Sequence, residues 1–268
     1  MSNEWETTKL TTEAQAIDTL IRLQGKRWLC RGQSRRYNEL VPSIDRTRQN
    51  LTRSQKLALE RRSINCFRST VHFFTDTGEQ GALTDDVVAL MVLRHYGVPT
   101  RLLDWSLSPW IAAFFAVSGH DEEEGEIWAF DEPLYERKGV KQWMKWPQTT
   151  IDCSGDASKF SAPLTAFTFE EPPDWFICRF YSLGFHRQNA QQGAYSMTAQ
   201  FGRNHAESIA GLLENSSRFH LYEVAATLKP ALRRILREFH GIWRGSLFPD
   251  SAGAAKTAKE IAFPNENG

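Results

Sequence analysis

Three short stretches of this sequence bring together side chains able to grip or transform an anionic ligand. In the first, Cys30-Arg31-Gly32-Gln33, an arginine ends a strand-like run from Arg27 to Arg31 and a glycine follows it. A planar guanidinium meets a phosphate or carboxylate with parallel hydrogen bonds, and a glycine lets main chain approach a ligand closely. The same residues equally suit a strand-end arginine in a surface ion pair before a turn. In the second stretch, Leu93 to Ala116, Arg94, His95 and Tyr96 end one helix, and Thr100, Arg101, Asp104, Trp105 and Ser106 cluster before the next. A helix N-terminus offers unpaired N–H groups to an anion, and a histidine near a carboxylate can move a proton. A structural role is open here too: Arg101 with Asp104 as a turn-stabilising pair, Ser108 as a cap, His95 as a hydrogen-bonded core residue. The third stretch runs from Arg187 to Tyr195 and sets Gln191 and Gln192 before Gly193. Amides in that position can order a ligand or simply lead a loop into a strand.

The surrounding pattern predicts the elements that hold these residues. Thr12 and Gln15 have capping-box spacing ahead of Ile17, Leu20 and Ile21, and Gly25 stands where a left-handed residue often closes a helix. A long helix is expected from Ser54 to Phe74, and another from Asp85 to about Tyr96, stopped by Gly97 and Pro99. Ser108-Pro109 is an N-cap followed by proline at the first helical position. The helix after it, Trp110 to Val117, is apolar on nearly every side and belongs in the interior. Strands are expected at Glu126–Phe130 and at Leu221–Thr227, a second organised block begins at Trp175–Phe180, and a basic helix from Pro230 to His240 ends at Gly241. The expectation is α+β: one mixed domain with a small split β-sheet core and flanking helices. It occupies residues 1–250 with an insertion at 131–171, and residues 251–268 form a polar tail.

Composition narrows the class. The 268 residues carry 32 basic and 32 acidic side chains, without the basic excess that a tight, sequence-independent nucleic-acid binder uses to neutralise phosphates. The four cysteines, Cys30, Cys66, Cys153 and Cys178, form no C-x-x-C pair, so neither a zinc knuckle nor a disulfide framework is expected. Met1 to Leu10 is polar, and no apolar run of about 18 residues occurs. A soluble, cytoplasmic protein without a metal or a membrane span is the expectation.

The three stretches together resemble the FRG-domain family. Its naming motif, an aromatic or apolar residue before R-G-Q, stands here as Leu29-Cys30-Arg31-Gly32-Gln33, with Cys30 where the family usually has phenylalanine or tyrosine. The family's central block, H-Y-G-x-P-T-R-L-L-D-W-T/S followed by S-P-x-x-A-x-x-F-A, matches Arg94 to Ala116 nearly completely. Arg187, Gln191, Gly193 and Tyr195 follow its R-x-x-x-Q-x-G-x-F pattern, and Leu247 to Asp250 gives its L-F-P-D ending.

A weaker resemblance, to the ADP-ribosyltransferase fold, implies a chemistry. There a strand-end R-G grips NAD, a hydroxyl-rich segment precedes an A-x-x-F-A helix, and a final strand supplies a glutamate or another polar residue. Carried over, Arg31 would bind the diphosphate, with Gly32, Gln33, Thr100, Arg101 and Trp105 around the dinucleotide and His95 and Tyr96 by the nicotinamide. Asp104 would orient ribose, the stabilising negative charge would come from Asp104 or from a glutamate such as Glu171, and Gln191 or Gln192 would stand in the final-strand place. NAD would be the substrate, the acceptor being protein, nucleic acid or water, in a bacterial toxin or an antiviral defence effector. The alternative is a non-catalytic nucleotide- or nucleic-acid-binding module in which Lys229, Arg233, Arg234 and Arg237 touch phosphates. A nuclease using His95, His186 or His205 ranks last, since no acidic cluster accompanies those histidines.

Overall fold

Seven strands are hydrogen-bonded into one mixed sheet: β1 (Glu6–Leu10), β2 (Trp28–Gln33), β3 (Leu103–Ser106), β4 (Gly125–Asp131), β5 (Phe176–Phe180), β6 (Gly193–Thr198) and β7 (Phe219–Val224). The computed structural model describes residues 5–71, 82–144, 176–180 and 186–262. Across the sheet the order is β1-β7-β4-β2-β3-β6-β5; β1 runs parallel to β7 and every other pair is antiparallel. All seven positions of β4 are buried, as an inner strand covered on both faces requires.

The α+β expectation holds, and the split in the sheet has a definite place. β2 pairs with β4 along its whole length but with β3 at one position only, Cys30 opposite Ser106. Beyond that pair the two strands diverge.

Side-chain alternation sorts the core into two layers. On one face Trp28, Cys30, Ile127, Ala129 and Val224 meet α1 (Glu13–Gln24), α5 (Pro109–Val117) and α9 (Lys229–His240). Farther along the same face Tyr195 and Met197 meet α4 (Asp86–His95), itself packed on α3 (Arg53–Val71). On the other face Leu29, Trp105, Trp128 and Phe130 meet α6 (Glu132–Met144) and α8 (His205–Leu213). The described residues also include the short α-helices α2 (Ser43–Thr47), α7 (His186–Ala190) and α10 (Arg244–Leu247), with α11 (Ser251–Ala262) in the tail.

Local chemistry explains most boundaries. Thr12 and Gln15 form the expected reciprocal cap of α1. The Asp85 carboxylate accepts the N–H groups of Val87 and Val88, and Ser108 accepts that of Ile111 ahead of Pro109. Gly241 closes α9 at φ 63°. At Gly25 the expectation fails: its φ is −73°, and the left-handed residue is Arg27 at 53°. Phe74, the expected end of α3, lies outside the described residues, as does most of the expected insertion, of which α6 forms the start.

Helix α5 lies unusually close to the sheet, because small residues face each other. A Cβ at Gly32 would stand 1.8 Å from the Ala112 carbonyl oxygen, and one at Gly125 would stand 2.2 Å from that of Ala116. The glycine of R-G-Q is therefore needed first for packing a helix against β2.

Candidate functional site

Where β2 and β3 diverge, a cavity of about 300 Å³ opens. Arg31 enters from β2, Asp104 and Ser106 from β3, and Arg94 and His95 from the C-terminal end of α4. Phe115 of α5, Arg187 of α7, Gln191, Tyr195 of β6 and Phe248 complete much of the wall. The three sequence stretches and the Leu247–Asp250 ending thus meet at one place.

Its electrostatic centre is Asp104. Arg94 donates to one carboxylate oxygen, Oδ2, from Nε at 2.8 Å and from a terminal nitrogen at 2.6 Å. Arg31 donates to the Asp104 main-chain oxygen at 2.7 Å and lies 3.6 Å from the same Oδ2. Burial pushes the Asp104 carboxyl up, but Arg94 and Arg31 together outweigh it and hold the group below its ordinary value, hence ionised. Although it lies deep in the molecule, 44% of the Asp104 side chain remains exposed, facing the cavity. Burial above all, aided by Arg94 and Arg46 against the pull of Asp104, brings the Arg31 guanidinium down to about 10.

A second layer of contacts fixes these groups. Ser43 of α2 accepts from Arg94 at 3.1 Å and from the Thr100 N–H at 3.2 Å. Arg187 donates to the His95 carbonyl, pairs with Asp250 at 2.9 Å, and lies 4.7 Å over the Phe248 ring. Gln191 donates to the Leu247 carbonyl at 3.0 Å and accepts on its main-chain oxygen from Ser106. The L-F-P-D ending is therefore tied by both of its ends to the third stretch. Burial, with Arg187 beside it, lowers His95 to about 4 against Asp250 and Asp104, so the imidazole is neutral near pH 7.

The other sequence candidates divide. Trp105 lines the cavity but sends its indole N–H to Ser196 at 2.7 Å, which fixes the ring. Gln33 does not reach this cavity; it donates to Glu126, a fully buried carboxylate that also accepts the N–H groups of Tyr37 and Asn38. It acts by anchoring the loop after β2. Arg101 is 3% exposed and bound through Nε and a terminal nitrogen to Glu60, so the expected Arg101–Asp104 pair is not made; Asp104 pairs with Arg94 instead. Thr100 is buried in the turn against Ser43, and Tyr96 is 56% exposed, outside the cavity lining.

A model of the FRG domain matches residues 26–125. The chain carries an FRG domain. The match runs from just before β2 to the start of β4 and takes in Arg31, Arg94, Asp104 and α5. Arg187, Gln191, Tyr195 and Phe248 fall beyond it, yet they close the same cavity as the FRG segment. No curated protein and no solved structure matches the chain significantly. Among the described residues no helix is long and apolar enough to cross a membrane.

The basic helix of this FRG protein is occupied internally. Lys229 is fully buried, and its ammonium donates to the carbonyls of Ser34, Gly119 and His120. Arg233 makes paired bonds to Asp121, Arg234 stands 4.0 Å from Glu13, and Arg237 lies over Trp243. His205 is buried against Ser196, and His186 is exposed at the start of α7, neither lining the cavity.

Sequence reasoning missed two residues near this site, Arg46 on α2 and Arg244 at the start of α10. Neither lies in a motif, and α2 itself, five residues long, gave no periodic signal.

Proposed function

We propose that the chain is an NAD-consuming, ADP-ribosyltransferase-like enzyme that breaks the nicotinamide–ribose bond beside Asp104. The observation that carries this reading is one ionised carboxylate exposed to a cavity whose wall includes three arginines and several aromatic rings. Such a wall suits a ligand that is anionic at its phosphates and flat at its bases.

In the step proposed, the bond from ribose C1′ to the pyridinium nitrogen breaks. Its electron pair stays on nitrogen, so nicotinamide leaves neutral, and the ribose becomes an oxocarbenium ion. Asp104, held by Arg94, faces that developing positive charge; a charge already fixed in place stabilises it without reorganising. A nucleophile on the acceptor, or water, then adds to C1′ and loses its proton. Phe115 and Phe248, half-buried on the cavity wall, offer faces for the pyridine ring. Neutral His95 is available to take the nucleophile's proton.

Incubation of the purified chain with NAD should release nicotinamide, and release should be lost in Asp104→Asn and Arg31→Gln variants that keep their circular dichroism. A second reading, a nucleotide-binding module without catalysis, draws support from the two Arg94 bonds that offset the Asp104 charge. Binding of ADP-ribose with no nicotinamide release under any condition would favour it and remove the first.

A further inference from the structure

Most polar side chains around the cavity are engaged with the protein itself. Arg94 bonds to Asp104 and Ser43, Arg187 to Asp250 and the His95 carbonyl, Ser106 to the Gln191 carbonyl, and Trp105 to Ser196. Two groups differ. Both Arg94 bonds and the approach of Arg31 fall on Asp104 Oδ2, and Oδ1 accepts from no side chain among the described residues. Tyr195 lines the same cavity, and its hydroxyl, which is not sealed from solvent, has no hydrogen-bond partner among the described residues.

These two groups are neighbours by register. Asp104 on β3 stands directly opposite Tyr195 on β6, so their side chains leave the sheet on one face with Cβ atoms about 5 Å apart. The Tyr195 ring is 7% exposed and packed with Met197 against α4, which fixes the hydroxyl before any ligand arrives. Burial first, then Asp104, raise the phenol above its ordinary value, against Arg94 and Arg187. The hydroxyl therefore stays protonated near neutral pH and presents an O–H donor beside an ionised acceptor. The R-x-x-x-Q-x-G-x-F pattern that this stretch follows has phenylalanine here, so the hydroxyl is an addition of this chain.

We infer that Tyr195 is a specificity residue of the site: with Asp104 it forms one station for a single O–H group, which accepts from the Tyr195 hydroxyl and donates to Asp104 Oδ1. The two side chains do not bond to each other, so a bridging group completes both. A phosphate or carboxylate there would be repelled by Asp104, and an ammonium has no lone pair for Tyr195. A hydroxyl meets both. It belongs to a sugar of the ligand or to water, and the inference rests on the reading above for the choice of ligand. A sugar hydroxyl would set affinity. Water would instead be the nucleophile: its oxygen adds to ribose C1′ once the bond to nicotinamide has broken, and one of its protons passes to His95, leaving ADP-ribose.

The test compares the full chain with Tyr195→Phe, which keeps the ring and removes only the hydroxyl. Isothermal titration uses ADP-ribose and two analogues, one lacking the 2-hydroxyl and one the 3-hydroxyl of its terminal ribose; nicotinamide release from NAD is followed in parallel. If a sugar supplies the O–H, the variant binds ADP-ribose about tenfold more weakly than the parent, and one of the analogues binds both proteins alike. If water supplies it, ADP-ribose affinity is the same in both proteins, and kcat for nicotinamide release falls about tenfold in the variant at unchanged KM. Melting temperatures of the two proteins should agree, and a marked loss of stability in the variant would reveal an internal partner and overturn the inference. Unchanged ADP-ribose affinity together with unchanged release would overturn it and leave the enzymatic reading standing. Absence of release by the parent would remove that reading while the titration still decides the station; a parent that neither binds ADP-ribose nor releases nicotinamide removes both.

Discussion

Arg31 bonds to the main chain of Asp104, its terminal nitrogen 2.7 Å from the carbonyl oxygen, as well as facing that residue's carboxylate. The contact has a topological cause. Asp104 lies opposite Tyr195 on one side, but toward β2 the only registered pair is Cys30 with Ser106. Past that pair the Asp104 carbonyl faces a widening gap, and the Arg31 side chain supplies the donor that a neighbouring strand would have given. A group proposed to hold a ligand therefore also closes the sheet.

Two aspartate and glutamate partners of arginine should respond differently to substitution. Glu60→Gln removes the negative charge that holds Arg101, 3% exposed, in a buried ion pair, and should cost about 3–5 kcal/mol with no direct effect on ligand affinity. Asp104→Asn faces an open cavity, where solvent screens the freed charges, so its cost should be nearer ~1–2 kcal/mol, with activity lost. Urea denaturation followed by tryptophan fluorescence measures both. Equal costs would contradict the division of these residues into a buried brace and a site group.

Gly32→Ala should be among the most damaging small changes in the chain. Its Cβ would stand 1.8 Å from the Ala112 oxygen and 2.7 Å from the Ala116 nitrogen, both main-chain atoms that move only with the whole of α5. A loss of about 3 kcal/mol or more is expected. Gly97→Ala meets nothing within 4 Å and carries only the penalty of its φ of +82°, about 1 kcal/mol. A thermal melt of the two variants side by side decides the matter, and similar melting temperatures would refute the packing role.

Stability should decline on the acid side of neutrality before the carboxylates titrate. Burial brings His95 to about 4, with Arg187 assisting, and His205 to about 3, with Arg31 assisting. In the unfolded chain both take up a proton near their ordinary value of about 6.5. Between those limits the unfolded state binds more protons, so stability is complete above about pH 6.5 and falls as pH drops toward 4. Urea midpoints measured at about pH 7 and about pH 4.5 should show that fall, and His95→Gln should lessen it. A flat profile across the window would mean that neither imidazole is held neutral.

The sequence was most informative where a local rule decides. The Thr12–Gln15 capping box, the Ser108 cap and the Gly241 stop each satisfy main-chain groups within one turn, and each is present. β1 was not foreseen, because an edge strand of polar residues, Glu6 to Lys9, lacks the alternation that burial imposes; its partner β7 lies more than two hundred residues away. Within the site, the stretches that carry Arg31, Asp104, Gln191 and Phe248 were legible as motifs. Their pairing was not, because i to i+3 proximity suggested Arg101 for Asp104 while tertiary structure delivered Arg94. Arg46 and Arg244 were out of reach for a related reason: each sits on a short helix aimed only by long-range contacts.

The seam between β2 and β3 also sets the mechanical compliance of the domain. Elsewhere in the sheet, neighbouring strands share a ladder of four to six registered pairs, and prising them apart would forfeit several main-chain hydrogen bonds together. Along this line the halves share one pair and an arginine, so a bulky guest can wedge the walls outward at small cost. Whatever occupies the gap and engages both walls then stiffens the domain where it is weakest.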